Sequence, residues 1–427
     1  MNVLASALVT TAAPINRWVM WAVPTVLFMI TWVHRPAPGV IARELMQTFG
    51  GGGTMIGLLS ATYFYTYAGL MIPAGILVDA FGVRRVVAAG GMVMAAGAFA
   101  MAAAPNEAAL FAGRLAAGAG SAVAFVGALK VAATWFPPSR FGFLAALTAT
   151  VGSFGAFLAT APLAWVVSLT SWRGAFAAIG GWTFVAAALT WLVVRDREAA
   201  PARAASARPV LAGTLEVLKN PKTWPPFFAF FFLYSAFGNL MLWAIPYLRD
   251  IYGMTRGEAA SVASATTLAL LGAGPLVGWC SDRFRRRRLP YVALVVALAV
   301  NWIVFVATLG WLPVAGVTAV LFLMGTFGAA FVLVWPLGRD VNPPRLAGVA
   351  VAVVNFGGFL GVALAQGPIG ALLDARWEGL LVDGARVYPL HAYRAAFLVC
   401  TLFVLISGAA GLLLTETGGE NVSQEAR

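Results

Sequence analysis

Three cations set in otherwise apolar stretches have the most chemistry to offer: Arg35, Arg114 and Lys130. No Asp or Glu stands mid-run with them; Asp79 and Asp282 fall at the ends of apolar runs and Asp374 closes another. A charge near the bilayer centre costs about 2.5–3.5 kcal/mol on insertion scales, so it is kept where it faces a cavity or a partner. Cations with no opposing carboxylate suit an incoming anion, and arginine's planar fork takes a carboxylate or phosphate through two parallel hydrogen bonds. The expected occupant is a small anionic or zwitterionic solute, not a lipophilic cation. Tyr63 and Tyr67 share a helix face, and Asn239, Trp243, Asn355 and Gln366 stand in apolar runs where they could line the same site. His34, whose side chain titrates near neutrality, is the candidate proton carrier.

Each of these has a plainer reading. Arg114 could organise helices, Lys130 could snorkel to a nearby helix end, and His34 could be an incidental neighbour of Arg35. Arg35 itself is separated from Arg17 by only 17 residues, so it could lie near a surface. Other chemistries are poorly supplied. No Gly-x-x-x-x-Gly-Lys-Ser/Thr loop is present for nucleotide binding. The two histidines lie near no intramembrane carboxylate in sequence, so neither an enzyme nor a bound metal or cofactor is expected. Cys280 and Cys400 fall in separate spans and suggest no disulfide.

The elements that must carry these residues follow from composition. Of 427 residues 61% are hydrophobic and 10% charged, against about 25% charged in soluble domains. Lipid is the fitting solvent. In hydrocarbon only helices and closed barrels satisfy the backbone, and continuous apolar runs such as 291–310 and 312–337 are too long and too unalternating for barrel strands. Twelve helical spans are expected, at 17–38, 54–78, 85–104, 108–135, 141–167, 174–194, 224–247, 257–280, 290–309, 312–337, 346–373 and 392–415. Residues 1–195 and 224–427 form the two halves, with 196–223 as a polar linker. The segment 1–16 lacks a basic start and does not read as a cleaved signal.

Net charge is +12. The cations sit in short connections without an aromatic-interleaved groove, so nucleic acid is not the expected partner; the lipid bilayer is. With the N-terminus in the cytoplasm, 18 Lys and Arg fall on the cytoplasmic side, 8 on the other, and 2 inside the fourth span. That bias places both termini and the linker in the cytoplasm of a cell (inner) membrane. Trp18, Trp21 and Trp311 read as an interfacial belt.

The chain also repeats itself. Gly75-x-x-x-Asp79 after the second span recurs 203 residues later as Gly278-x-x-x-Asp282, each followed by a basic cluster: Arg84 and Arg85, then Arg283 and Arg285 to Arg288. Pro137-Pro138, Gly152, Gly155 and Pro162 recur 206 residues on at Pro343-Pro344, Gly358, Gly361 and Pro368. The small residues permit close helix crossing and the prolines permit bending. Asp79 with Arg84 and Arg85, and Asp282 with Arg283, are expected to form ion pairs that hold one conformation of a gate.

These loops, Arg114-x-x-x-Gly118-x-Gly120 in the fourth span and the glycine–proline pattern of the fifth resemble the major facilitator superfamily over about residues 15–415. The resemblance implies an all-α polytopic membrane protein, with twelve transmembrane helices in two pseudo-symmetric six-helix bundles and a solute site between them at mid-membrane. It implies a secondary transporter working by alternating access, expected as a monomer. A drug or metabolite exporter, and a non-transporting solute sensor, are the alternatives. Within the superfamily, Val33-His34-Arg35 before Pro36, Tyr67 and Lys130 resemble the organophosphate:phosphate antiporter branch, which implies that Arg35 and Lys130 help hold the anion. Phe237 stands where that branch carries its second phosphate-binding arginine, which favours a carboxylate at least as much as a phosphate.

Overall fold

A computed structural model describes residues 16–137, 140–196 and 207–423. The expectations for residues 1–15, for Pro138 and for 197–206 of the linker lie outside it. Ten helices among the described residues are long and apolar enough to span a membrane, and one bent pair adds an eleventh. The twelfth is α1 (Arg17–His34), which carries Pro24 within it and is cut short where the chain bends at Arg35 and Pro36.

In the first half, α2 (Ala37–Val40) and α3 (Ala42–Phe49) follow that bend, then α4 (Gly53–Phe81), α5 (Val83–Ala103), α6 (Glu107–Trp135), α7 (Phe141–Leu158), α8 (Ala161–Leu169) and α9 (Trp172–Val193). The second half holds α11 (Trp224–Tyr252), α12 (Arg256–Phe284), α13 (Arg288–Ala307), α14 (Val314–Gly328), α15 (Val334–Asp340), α16 (Ala347–Asp374) and α17 (Leu390–Leu412). The stretch read as a polar linker carries a helix of its own, α10 (Ala207–Lys219), which packs on α16 and pairs Glu216 with Arg345 at 2.5 Å.

Several single spans are in fact broken. The fifth is α7 and α8, bent by 44° just before Pro162, because proline removes a backbone donor and its ring crowds the preceding turn. Its repeat Pro368 lies inside an unbroken α16, so matching sequence does not give matching bends. The tenth span passes from α14 through a 3₁₀ stretch, Ala329–Leu333, into α15. One departure from an all-helical chain is a two-residue hairpin, β1 (Leu381–Val382) with β2 (Ala385–Arg386). Asp383 and Gly384, both at positive φ, make its turn, the pair that a two-residue turn favours.

The repeated glycines do equivalent jobs in the two halves. A Cβ on Gly155 would lie 2.2 Å from the Met29 carbonyl on α1, and one on Gly361 would lie 2.4 Å from the Phe231 carbonyl on α11. The fifth span thus closes on the first as the eleventh closes on the seventh. Trp311 is exposed as an interfacial residue should be, but Trp21 turns inward and donates to Thr148 at 3.2 Å.

Candidate functional site

The site begins with the break at the end of α1. An α-helical carbonyl accepts from the N–H four residues on; for His34 that residue is Pro38, which has none. The Gly39 N–H, which would serve Arg35, is turned to the Pro36 carbonyl at 2.9 Å. Arg114 fills both gaps: Nη1 donates to the His34 carbonyl at 2.7 Å, Nη2 to the Arg35 carbonyl at 3.2 Å, and Nε to the Leu59 carbonyl at 3.3 Å. Its guanidinium lies 4.7 Å from the Tyr63 ring centre. A cation at helix-terminal carbonyls is favoured by the helix dipole. Arg114, fully buried, is therefore occupied in fixing the bend.

Arg35, which that bend positions, is arranged differently. It is 5% exposed, and its Nε and Nη1 meet no hydrogen-bond partner. Rings surround it instead: Trp32 at 4.2 Å, Phe359 at 4.9 Å and Tyr67 at 5.1 Å. Its charge faces the phenols of Tyr234, Tyr67 and Tyr63, with no carboxylate among them. A cavity of about 30 Å³ opens beside it, lined by Trp32, Phe64 and Ala156 from the first half and by Tyr234, Phe237, Met241 and Gln366 from the second. The Gln366 amide nitrogen donates to the Gly238 carbonyl at 3.3 Å and its oxygen is unpaired.

The other candidate residues scatter around this centre. Tyr63 and Tyr67 stack on each other at 6.2 Å, and Tyr63 donates to the Thr31 carbonyl at 3.1 Å. His34 stacks on Tyr63 at 6.4 Å with both ring nitrogens unpartnered. Asn239 donates to the Ser235 carbonyl at 2.9 Å, Trp243 is fully buried, and Asn355 reaches the Met71 sulfur at 3.4 Å; none of these three lines the cavity. Lys130 does not join Arg35. It sits near the end of α6, about half exposed, with its ammonium 2.7 Å from Asp79.

The gate pairs also differ from expectation. Asp79 is held by Lys130 and not by the arginines that follow it. Arg84 donates to the Trp191 carbonyl at 2.6 Å over that residue's ring, and Arg85 is exposed along a groove of about 770 Å³ that Asp79 and Asp196 share. A side chain on Gly75 would meet nothing within 4 Å. In the second half Arg287, not the exposed Arg283, bridges Asp282 at 3.4 Å and Asp340 at 3.0 Å. Two acids close the loops in parallel fashion. Asp196 accepts from the Val83 N–H at 2.8 Å, and Glu416 accepts from the Arg287 and Arg288 N–H groups at 2.9 and 3.0 Å. Burial alone would raise the Glu416 carboxyl, but these backbone donors outweigh it and hold it below its ordinary value.

At the opposite end of the molecule the halves are joined by charges that sequence reasoning counted only as loop residues or passed over. Arg43 pairs with Asp250 at 2.6 Å. Glu44 takes Arg249 at 3.2 Å and also Arg256. Asp374 caps α4 across the interface, accepting from the Gly53 and Thr54 N–H groups at 2.8 Å each, from Tyr388 at 2.6 Å and from Arg386 at 3.0 Å. The visible signal was acids at helix ends beside loop arginines, but which acid meets which base depends on the packing of the halves.

With twelve spans, a bent first helix and a buried arginine between two halves on the page, comparison with known proteins is direct. The chain belongs to the Major Facilitator Superfamily, whose family model matches residues 7–366. It is 24% identical to a probable galactarate/D-glucarate transporter of Escherichia coli (strain K12), over 91% of this chain and 95% of that one. It is 25% identical to the oxalate:formate antiporter of Oxalobacter formigenes, over 84% and 81%. The fold is similar, with a TM-score of 0.75 and 16% identity, to a crystal structure of a bacterial homolog of the human lysosomal transporter Spinster, inward-facing and unoccupied; the match covers 93% of this chain and 96% of that one. The protein is thus a multi-pass membrane transporter and not an enzyme.

Proposed function

We propose that this chain is a secondary transporter moving a small organic anion by alternating access, with Arg35 as the anchor. One observation carries the choice of anion: a buried guanidinium with two N–H-bearing nitrogens unpartnered and, among the described residues, no facing carboxylate. Such a charge is costly until an anion arrives, and the names of the relatives (galactarate/D-glucarate, oxalate, formate) are those of carboxylates. Lys130, Asp79 and the Arg287 cluster belong in this reading to the gate at the linker end, and residues 1–195 and 224–427 are the rocking halves. The basic excess at the linker end supports a cytoplasmic placement of both termini in the inner membrane, with the protein acting as a monomer.

The test is reconstitution in liposomes with labelled organic anions inside or outside. Accumulation or exchange that is lost in Arg35→Gln supports the proposal. Binding without any movement across the membrane would make the chain a sensor, and preferential transport of a lipophilic cation would overturn the anion reading.

A further inference from the structure

We infer that the transported solute is an amphipathic monoanion, with one carboxylate on Arg35 and an aromatic or compact apolar body against the rings of α11 and α16. This rests on the anion reading above and sharpens it. The cavity holds one charge. Among the described residues that line it, Arg35 alone is charged, and Phe237 and Met241 are apolar. A dicarboxylate bound here would have to set its far carboxylate against Phe237 and Met241, where a desolvated charge finds no partner. A single carboxylate can accept from Arg35, whose Nε and Nη1 each lack a hydrogen-bond partner.

The aromatic side of the cavity, Tyr234 and Phe237, is backed by further rings. Tyr234 stands edge-on to Phe359 at 5.3 Å and 85°, lies nearly parallel to Phe237 at 5.8 Å and 21°, and meets Phe331 at 5.9 Å. Aromatic pairs prefer these edge-to-face and offset arrangements, so an entering ring can take up partners that these side chains now give one another. Polar capacity around the cavity is limited. Besides Arg35, the Trp32 indole nitrogen and one Gln366 oxygen are unpaired, and Tyr234 brings a hydroxyl. A polyhydroxylated acid carries more hydroxyls than these groups can serve, and each unmade hydrogen bond weakens binding.

The experiment compares probes on the purified full chain in nanodiscs, by thermal shift and titration: benzoate, the neutral isostere benzamide, glucarate and oxalate. Benzoate is expected to bind at least about tenfold tighter than the other three, and Arg35→Gln to remove that preference. Phe237→Arg supplies a second cation, and is expected to raise glucarate affinity at least about fivefold while the protein still folds. If glucarate or oxalate binds more tightly than benzoate in an Arg35-dependent way, the inference falls and the anion reading stands; if none of the three anions binds, both fall. If benzamide binds as well as benzoate, or Arg35→Gln leaves benzoate affinity unchanged, the anion reading itself falls.

Discussion

Arg114 donates to the carbonyls of His34, Arg35 and Leu59, while Nε and Nη1 of Arg35 find no hydrogen-bond partner. The two side chains share a residue type and an apolar setting, so their difference lies in what the neighbouring backbone lacks. Pro38 removes the N–H that His34 would have used, and Arg114 supplies it. That arithmetic was available in the sequence: a proline four residues after a helical residue leaves a carbonyl open. Which arginine would fill it was not, because Arg114 is 80 residues away along the chain. Exchanging each arginine separates the roles. Arg114→Ala leaves buried carbonyls unpaired at about 1–3 kcal/mol each, and should lower the melting temperature whether or not solute is present. Arg35→Lys keeps the charge but loses the fork; it should melt near the parent temperature while solute affinity drops about tenfold or more. Thermal melts with and without ligand check both, and an unstable Arg35→Lys with intact affinity would reverse the assignment.

At the scale of the helices, α4 and α16 run antiparallel across the two halves and touch along glycines. A Cβ on Gly370 would lie 2.1 Å from the Gly53 carbonyl, and one on Gly57 would lie 2.2 Å from the Gln366 carbonyl. The contact continues through Phe64 and Tyr67 against Phe359 and ends near Met71 and Asn355. Beyond it the linker end splays: nothing lies near Gly75 or Gly348, and Asp79 and Lys130 are 55% and 47% exposed. Gly370→Val must push the helices apart or strain them, at about 1–3 kcal/mol, and the Asp374 cap on α4 lies one turn away. It should lower stability by that amount in denaturation and open the far end to water-soluble thiol reagents; an unchanged melt and unchanged labelling would mean that the crossing is looser than it looks. The spans themselves were legible, because a run of about 20 apolar residues admits few alternatives. The glycines repeated at 206 residues were legible too, through their internal match. Gly53, Gly57 and Gly370 were not, since their partners lie in the other half and no repeat marks them. The β1–β2 hairpin passed unread although Asp383-Gly384 is a strong turn signal; a chain read as helices throughout directs attention away from two-residue strands.

For the molecule as a whole, one end is joined across the halves by part-buried charges and at the other α4 and α16 splay, the arrangement that alternating access requires in one of its two states. The sealed end rests on acids from one half meeting bases or backbone donors of the other: Asp250 with Arg43, Glu44 with Arg249, Asp374 with the start of α4. The hairpin and the chain just beyond it tighten this seal, because Arg386 pairs with Asp374, and Tyr388 joins Asp374 through its hydroxyl and Asp250 through its backbone N–H. To open that end the protein must surrender several of these contacts together, so their sum biases the resting population toward the state described. A change that weakens the seal without touching the cavity should therefore move the equilibrium, since a population follows the free-energy difference between its states. Asp374→Asn is such a change: it keeps the shape but loses the charge that caps α4 and holds Arg386. With Cys280 and Cys400 replaced and a single cysteine placed at Phe237, an impermeant thiol reagent should label the parent from the linker side only. In Asp374→Asn the same cysteine should also label from the far side, at a rate at least about fivefold above the parent, the change that a shift of about 1 kcal/mol produces. Because the proposed orientation puts the linker in the cytoplasm, that far-side labelling should be seen on intact cells. Equal labelling of parent and variant from outside would show that the acids at this end do not hold it shut. Labelling of the parent from outside alone would reverse the orientation.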